Sequence, residues 1–280
     1  MREDQPRIFW TAFSVRTLHP HTRDSHVTAQ QPAFIPVRLG TVEYGAAWDL
    51  QKALAAARRA DAIPDVLLLL EHPHTYTIGR GGSDEHVLLS EEALARRGAR
   101  VFHVDRGGDV TYHGPGQLVG YPIVHLREDR LDVHAYLRNL EEVVIRALAD
   151  LGVAAGRQPA YTGVWVGDEK ITAIGVKVSA AVTSHGFALN VATDLSYFDS
   201  IVPCGIQGKG VTSVERLLGR RVEMETVIER VVARFGERFG LEAMPMVDAR
   251  REPLSALTPD GLLTALTKVI SNSARDRRNS

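Results

Sequence analysis

Apolar positions become periodic at Ile35, and from there the chain alternates short apolar runs with helical stripes. Tyr44, Trp48, Leu54 and Ala55 share one side of a helix that Thr41 can cap and that Asp61–Pro64 would end. Val66–Leu70 is a continuous apolar run of strand length, the pattern of a strand covered on both faces. Ser90, followed by two acids and closed by Gly98, brackets a short helix. Arg100–Val104 and Leu118–Val124 read as strands. The longest helix is expected from Asp132 to Leu151, where Val133, Tyr136, Leu137, Leu140, Val143, Val144, Ala147 and Leu148 recur at spacings of three and four, with Gly152 as its stop.

Gly163–Val166 and Ile171–Val178 are expected as strands joined by a tight turn ending at Lys170, and Phe187–Val191 as a further strand. Thr212-Ser-Val-Glu215 has the spacing of a capping box and opens a helix, and another runs from Met224 to Phe239. Residues 1–33 show little periodicity and read as a loosely ordered extension. Residues 34–245 hold the patterned domain, and 246–280 form a C-terminal extension whose polar end, from Ser271, is expected to be frayed and disordered. Strands and helices are interspersed with several strand-turn-strand units, which fits an α+β fold, a mixed α/β sandwich, better than a doubly wound sheet.

A length of 280 residues is ample for a sizeable core. The formal net charge of -1 points to no nucleic-acid or membrane-surface partner. The single cysteine excludes an intramolecular disulfide framework and suits a reducing compartment. No segment approaches the uninterrupted apolar length of a spanning helix, and early acids (Glu3, Asp4, Asp24) argue against a transit peptide, so a cytoplasmic location is expected. Lysine is scarce: five of the 33 lysine and arginine residues. A lysine where arginine would serve is therefore informative, because only lysine readily gives up its proton.

Candidate chemistry gathers in three places. Residues 105–117 crowd Arg106, Asp109, Thr111, Tyr112, His113 and Gln117 between glycines at 107, 108, 114 and 116. A hairpin with two glycine turns would look the same, and neither a Walker loop nor a dinucleotide fingerprint fits. Arg-Gly-Gly occurs twice, at 80–82 and 106–108, in unlike contexts. Cys204 lies between Pro203 and Gly205. A lone cysteine is most often a small buried hydrophobe, but a turn can expose its sulfur, and a thiolate needs a cation or donor nearby. His113, His185, Lys170, Lys177 and Lys209 are the candidates. Lys170, at the end of a turn, and Lys177, on a strand, both have the look of solvated charges, and spacing does not choose among the lysines. His72 and His74 could share a face of an extended segment, with no third metal ligand in sight.

The run from Arg106 to Pro122 resembles the signature of the lipoyl(octanoyl) transferase family. So do Gly163-Val-Trp-Val, Lys170-Ile-Thr-Ala-Ile-Gly175, His185-Gly-Phe-Ala-Leu-Asn190, Ile201-Val-Pro-Cys-Gly-Ile206 and Thr212-Ser-Val, all in the family's order. The resemblance spans about Ile35 to Phe239. It implies a fold akin to the catalytic module of biotin and lipoate protein ligases, a mixed sheet flanked by helices, with 34–245 as the octanoyltransferase domain. It implies transfer of an octanoyl group from octanoyl-acyl carrier protein to a lysine of lipoyl domains, those of 2-oxoacid dehydrogenase E2 subunits and of the glycine cleavage H protein, without a cofactor. Carried onto this sequence, Cys204 is the acyl-bearing nucleophile and Lys170, not Lys177, its partner. The acyl-binding surface would come from Arg106, Gly107, Gly108, Asp109, Val110, Thr111, Tyr112 and His113, from Ala173, Ile174 and Gly175, and from Gly186, Phe187 and Ala188. Tyr112 would help to enclose the acyl tail, and Phe187 stands where a smaller or aliphatic side chain is expected. An ATP-dependent ligase on the same fold, or a silent acyl- or lipoyl-domain-binding module, are the alternatives.

Overall fold

The computed structural model describes residues 32–126, 132–202, 209–250 and 259–276. The chain runs through β1 (Ala33–Thr41), α1 (Tyr44–Arg59) and β2 (Asp65–Glu71). β1 and β2 are parallel, with Phe34 opposite Asp65 and Thr41 opposite Glu71, so α1 is their crossover. Thr41 is thus the last residue of a strand and not the expected helix cap. Glu43 takes the cap position without a side-chain hydrogen bond. The run Val66–Leu70 sends Leu67 and Leu69 to one core cluster and Val66, Leu68 and Leu70 to another, because strand side chains alternate. Burying each such leucine stabilises the fold by about 1.5–3 kcal/mol.

Next come β3 (Thr75–Ile78), α2 (Glu91–Arg96), β4 (Arg100–His103), β5 (Val110–His113) and β6 (Gln117–Ile123). Ser90 caps α2 as expected, accepting from the Ala93 N–H. β3, β4 and β5 make a small sheet in the order β4-β3-β5, while β6 joins the main sheet between β2 and a later strand. The glycine-rich segment is therefore no hairpin: its two strands belong to different sheets.

α3 (Val133–Asp150) follows, with the Asp132 carboxylate accepting from the N–H groups of His134 and Ala135. β7 (Gly156–Gln158), β8 (Tyr161–Val166), β9 (Glu169–Ser179) and β10 (Val182–Asn190) form an antiparallel run. β11 (Gly210–Val211), α4 (Val214–Leu218) and α5 (Met224–Phe239) come next, then β12 (Glu242–Ala243), β13 (Val247–Asp248) and α6 (Pro259–Asp276). Ser213 caps α4, and the Glu215 carboxylate accepts from the Val222 N–H instead of closing a capping box.

The main sheet has the order β12-β1-β2-β6-β10-β9-β8-β7, with β13 on β1 and β11 on β9. α3 and α5 pack with Leu67, Leu118, Phe187 and Leu189 on one face, and α1 and α6 with Leu68, Val119 and Ala188 on the other. This is an α+β fold, a mixed sheet flanked by helices. α6 continues to Asp276, beyond the expected fraying point at Ser271, because buried Leu262 and Leu266 anchor it against the α1 side. The segments read as the N-terminal extension up to residue 31, and the last residues 277–280, lie outside the described residues. No helix among the described residues is long and apolar enough to cross a membrane.

Candidate active site

The floor of the main cleft is bare backbone. Ala173 pairs with Ala188 and Gly175 with Gly186 across β9 and β10, so four small residues leave a groove between taller neighbours. The groove encloses 490 Å³, its open mouth included. Ile174 and Phe187 also border it. The Phe187 ring lies over Gly120, where a Cβ would come within 2.2 Å of the ring, so the glycine takes up the bulk of the larger side chain.

The opposite wall is built by Arg106, Gly108, Asp109, Val110, Thr111 and His113. Two residues of the expected surface stand elsewhere. Gly107 lies behind Gly175, its N–H donating to the Val176 carbonyl at 2.9 Å, and a Cβ on Gly175 would meet the Gly107 oxygen at 2.8 Å. Tyr112 points the other way, because β5 sends Thr111 and His113 to the cleft and Tyr112 into the core of the small sheet. There its hydroxyl is 2.7 Å from His74 Nδ1, and Gly114 gives it room. Tyr112 is therefore not among the residues that line this groove.

The two Arg-Gly-Gly segments, unlike in sequence context, lie against each other. Arg80 N–H donates to the Arg106 carbonyl at 3.0 Å and Gly81 N–H to that of Gly108 at 3.1 Å. A Cβ on Gly79 would fall 2.4 Å from the Gly108 oxygen, so glycine is required for the approach.

Behind this wall runs a buried polar chain. Arg106 Nη2 donates to the carbonyl and hydroxyl of Thr77 at 2.7 and 2.8 Å. Gln117 Nε2 donates to the Tyr112 carbonyl and to Asn190 Oδ1, so its Oε1 is left to accept from His113 Nδ1 at 3.0 Å. Asn190 Nδ2 in turn donates to the Thr212 carbonyl. Burial, with nearby His72 and Arg106, pushes the His113 pKa well below that of a free histidine, so the ring is neutral with its proton on Nδ1. Sequence reasoning had no signal for this chain beyond the glutamine four residues after the histidine.

Lys170 stands at one end of the cleft. It is 8% exposed, far from the solvated turn residue its sequence suggests, because the turn is the tighter pair Gly167-Asp168 and Lys170 is inside β9. Its ammonium lies 4.9 Å over the Trp165 ring. A register shift between β8 and β9 opposes Val164 to Thr172 and Trp165 to Lys170. Ile171 is the extra residue, and it joins the α3-side core while Lys170, Ala173 and Gly175 all face the cleft. The bulge turns the lysine onto the cleft side. Gly163 lies beneath it with φ 127°, and a Cβ there would come 2.6 Å from the Thr172 oxygen and 3.5 Å from Lys170 Cε.

Cys204 falls in residues 203–208, outside the described residues. Both flanks of that stretch are tied down. Val202 N–H donates to the His86 carbonyl at 2.8 Å, and Ile201 pairs with Val87. On the other side Val211 pairs with Lys170, and Thr212 N–H donates to the Lys170 carbonyl at 3.0 Å.

At the far end of the cleft Lys177 is not the outward-facing charge expected. Its Nζ donates to Asp105 at 2.5 Å, and Asp105 also accepts from His185 Nε2 at 2.8 Å. Burial opposes ionisation of Asp105, but these two hydrogen bonds outweigh it and hold the carboxyl at about 2. Tyr44, Tyr121 and His185 complete the lining; His185 stood among the sequence candidates, whereas Tyr44 and Tyr121, a helix and a strand residue with only packing signals, were missed. His72 and His74 part company: His72 bonds Val42 and Tyr121, while His74 stacks on Tyr197 at 4.1 Å.

The sequence pattern of the lipoyl protein ligase A/B catalytic domain matches residues 43–236. The chain is 57% identical over 203 residues to an octanoyltransferase of Rubrobacter xylanophilus, covering 72% of this chain and 91% of that protein. Among solved structures it resembles lipoate-protein ligase A bound with ATP, with a TM-score of 0.66 at 17% identity over 84% of this chain and 94% of that one. It also resembles a structure from an analysis of the bipartite lipoate protein ligase and its E2 lipoyl domain from Thermoplasma acidophilum, with a TM-score of 0.63 at 18% identity over 83% of this chain and 92% of that one. These structural likenesses concern the fold.

Proposed function

The chain belongs to the lipoyl protein ligase A/B catalytic-domain family, and on that premise we propose that it moves an octanoyl group from octanoyl-acyl carrier protein to lipoyl domains through a thioester on Cys204, with Lys170 carrying the proton. Octanoyl transfer is the activity named for a relative 57% identical to this chain. The observation that supports the residue assignment is the bulge of β9, which brings Lys170 onto the end of a groove floored by Ala173, Gly175, Gly186 and Ala188. β11, which follows the Cys204 stretch, pairs with that same lysine. The acceptors are the lipoyl domains of 2-oxoacid dehydrogenase E2 subunits and of the glycine cleavage H protein.

In the first half-reaction the Cys204 thiolate attacks the donor's thioester carbonyl. A bond forms to Sγ, the bond to the carrier's sulfur breaks, and the departing carrier thiolate takes a proton from the Lys170 ammonium. One thioester replaces another, so no nucleotide is needed. In the second half the neutral amine of the acceptor lysine attacks the acyl-enzyme. The carbon–nitrogen bond forms, the amine's proton passes to Lys170, and Sγ leaves as the thiolate. The ammonium so regenerated favours that thiolate for the next cycle. The apolar groove holds the tail and keeps water from the thioester.

The test is a transfer assay with octanoyl-acyl carrier protein and a lipoyl domain, without ATP. The wild type is expected to yield octanoylated lipoyl domain, and Cys204→Ala none. Activity only with free octanoate and ATP would move the reading to an ATP-dependent ligase.

A further inference from the structure

Along the ladder of β9 and β10 the acyl cleft covers the pairs Ala173–Ala188 and Gly175–Gly186, with Lys170 beyond one end. Toward the other end the next pair is Val176–His185. The pair after that, Lys177–Ser184, already lines a different cavity of 530 Å³, its open mouth included, walled by the apolar Trp48, Ala55 and Val182 and by the polar or charged Gln51, Lys52 and Arg59. The two cavities follow one another on the same ladder. His185 lines the first and Asp105 the second, and the hydrogen bond between them is the partition.

The partition is fixed from several sides. His185 is 1% exposed, and its backbone is left-handed, with φ 56°, a conformation uncommon for a residue with a side chain. Its N–H donates to Gln51 Oε1 at 2.7 Å, its Nε2–H to Asp105 at 2.8 Å, and Lys177 Nζ grips the second Asp105 oxygen. An apolar group pushed against the imidazole would have to unmake these bonds and leave a partly buried carboxylate short of a partner.

We propose that the Asp105–His185 pair is a stopper that sets the longest acyl chain the cleft accepts, and that the cavity beyond it is the space a longer chain enters once the stopper is cut back. The proposal rests on the reading that the acyl carbonyl lies at the Lys170 end, which points the methyl end at His185. A closed apolar site discriminates by about tenfold or more per methylene, so removing its end wall should shift preference toward longer chains by at least that factor.

The experiment compares kcat/KM on octanoyl-, decanoyl- and dodecanoyl-acyl carrier protein. In His185→Ala the ratio of decanoyl to octanoyl should rise at least tenfold over the wild type, with dodecanoyl gaining further. Asp105→Ala, which frees the ring without removing it, should raise the ratio less, and it keeps the test available if His185→Ala does not fold. Asp105→Asn, whose amide oxygen still accepts from Nε2, should restore the wild-type ratio. A merely structural role would lower all chain lengths alike. A wild type that transfers octanoyl while both alanine variants keep its ratio overturns the stopper alone. A wild type that transfers no octanoyl overturns the underlying reading and the stopper with it.

Discussion

Two lysines of β9, Lys170 and Lys177, border cavities at opposite ends of one cleft wall and sit in contrasting surroundings. Lys177 is half-buried and matched by a carboxylate, Asp105, which in turn holds His185. Lys170 is buried, rests over the face of Trp165, and borders two cavities. A charge matched by an acid orders its neighbours. The proposed proton carrier instead lies over an aromatic face at a cavity's edge. Both residues look like solvated lysines in the sequence.

The largest expected effect breaks this contrast directly. Lys170→Ala should slow transfer by about 10²–10⁴-fold, the usual worth of a general acid–base. Lys177→Ala should cost octanoyl transfer only a few-fold, in line with ~1 kcal/mol for an accessible ion pair. Equal losses in the transfer assay would erase the distinction.

The next effect is on stability beneath Lys170. Gly163→Ala should lower the unfolding free energy by about 1–3 kcal/mol, through its left-handed backbone and the clash with the Thr172 carbonyl. Gly167, at φ 58° with open space around it, is the control: Gly167→Ala should cost about 1–2 kcal/mol from conformation alone. Urea midpoints that rank the two the other way would contradict the close contact.

Acid should act in two windows. His72 is held neutral by burial with its pKa lowered from 6.5 to about 4, and burial moves His113 in the same direction. The stabilisation from His72 is complete above pH 6.5 and is lost as pH falls toward 4, because the unfolded chain takes up the proton first, and His113 acts in the same direction. Asp105, lowered from 3.8 to about 2, adds a loss confined to the range between those values. Unfolding midpoints against pH should show both, with His72→Gln flattening the first and Lys177→Met the second.

The smallest effect is on docking. A local arginine-rich docking face, on a chain of net charge -1, should make KM for an acidic carrier protein rise as salt screens the encounter over a Debye length of about 8–10 Å. Lys170→Ala should leave that slope unchanged, since its side chain is buried.

Much of the fold was legible because it is local. α3 shows its stripe, its Asp132 cap and its Gly152 stop within one stretch, and β2 shows its burial as an unbroken apolar run. Most of the cleft wall was legible through motifs. What was hidden depends on contacts between distant segments. The bulge at Ile171 leaves no mark in residues 169–179, since the extra residue is defined only against β8. The pairing of the two Arg-Gly-Gly segments joins residues some 26 positions apart. The face taken by Tyr112 depends on β5 pairing with β3, a short strand with too few positions to show a period. The expected helix cap at Thr41 failed because pairing with Glu71 makes Thr41 the last residue of β1.

The central claim is an octanoyl group carried on Cys204. The measurement that meets it most directly is the intact mass of the protein after incubation with octanoyl-acyl carrier protein alone. The account predicts one octanoyl adduct, absent in Cys204→Ala and discharged on adding a lipoyl domain. No adduct on the wild type, or an adduct that survives Cys204→Ala, would contradict it.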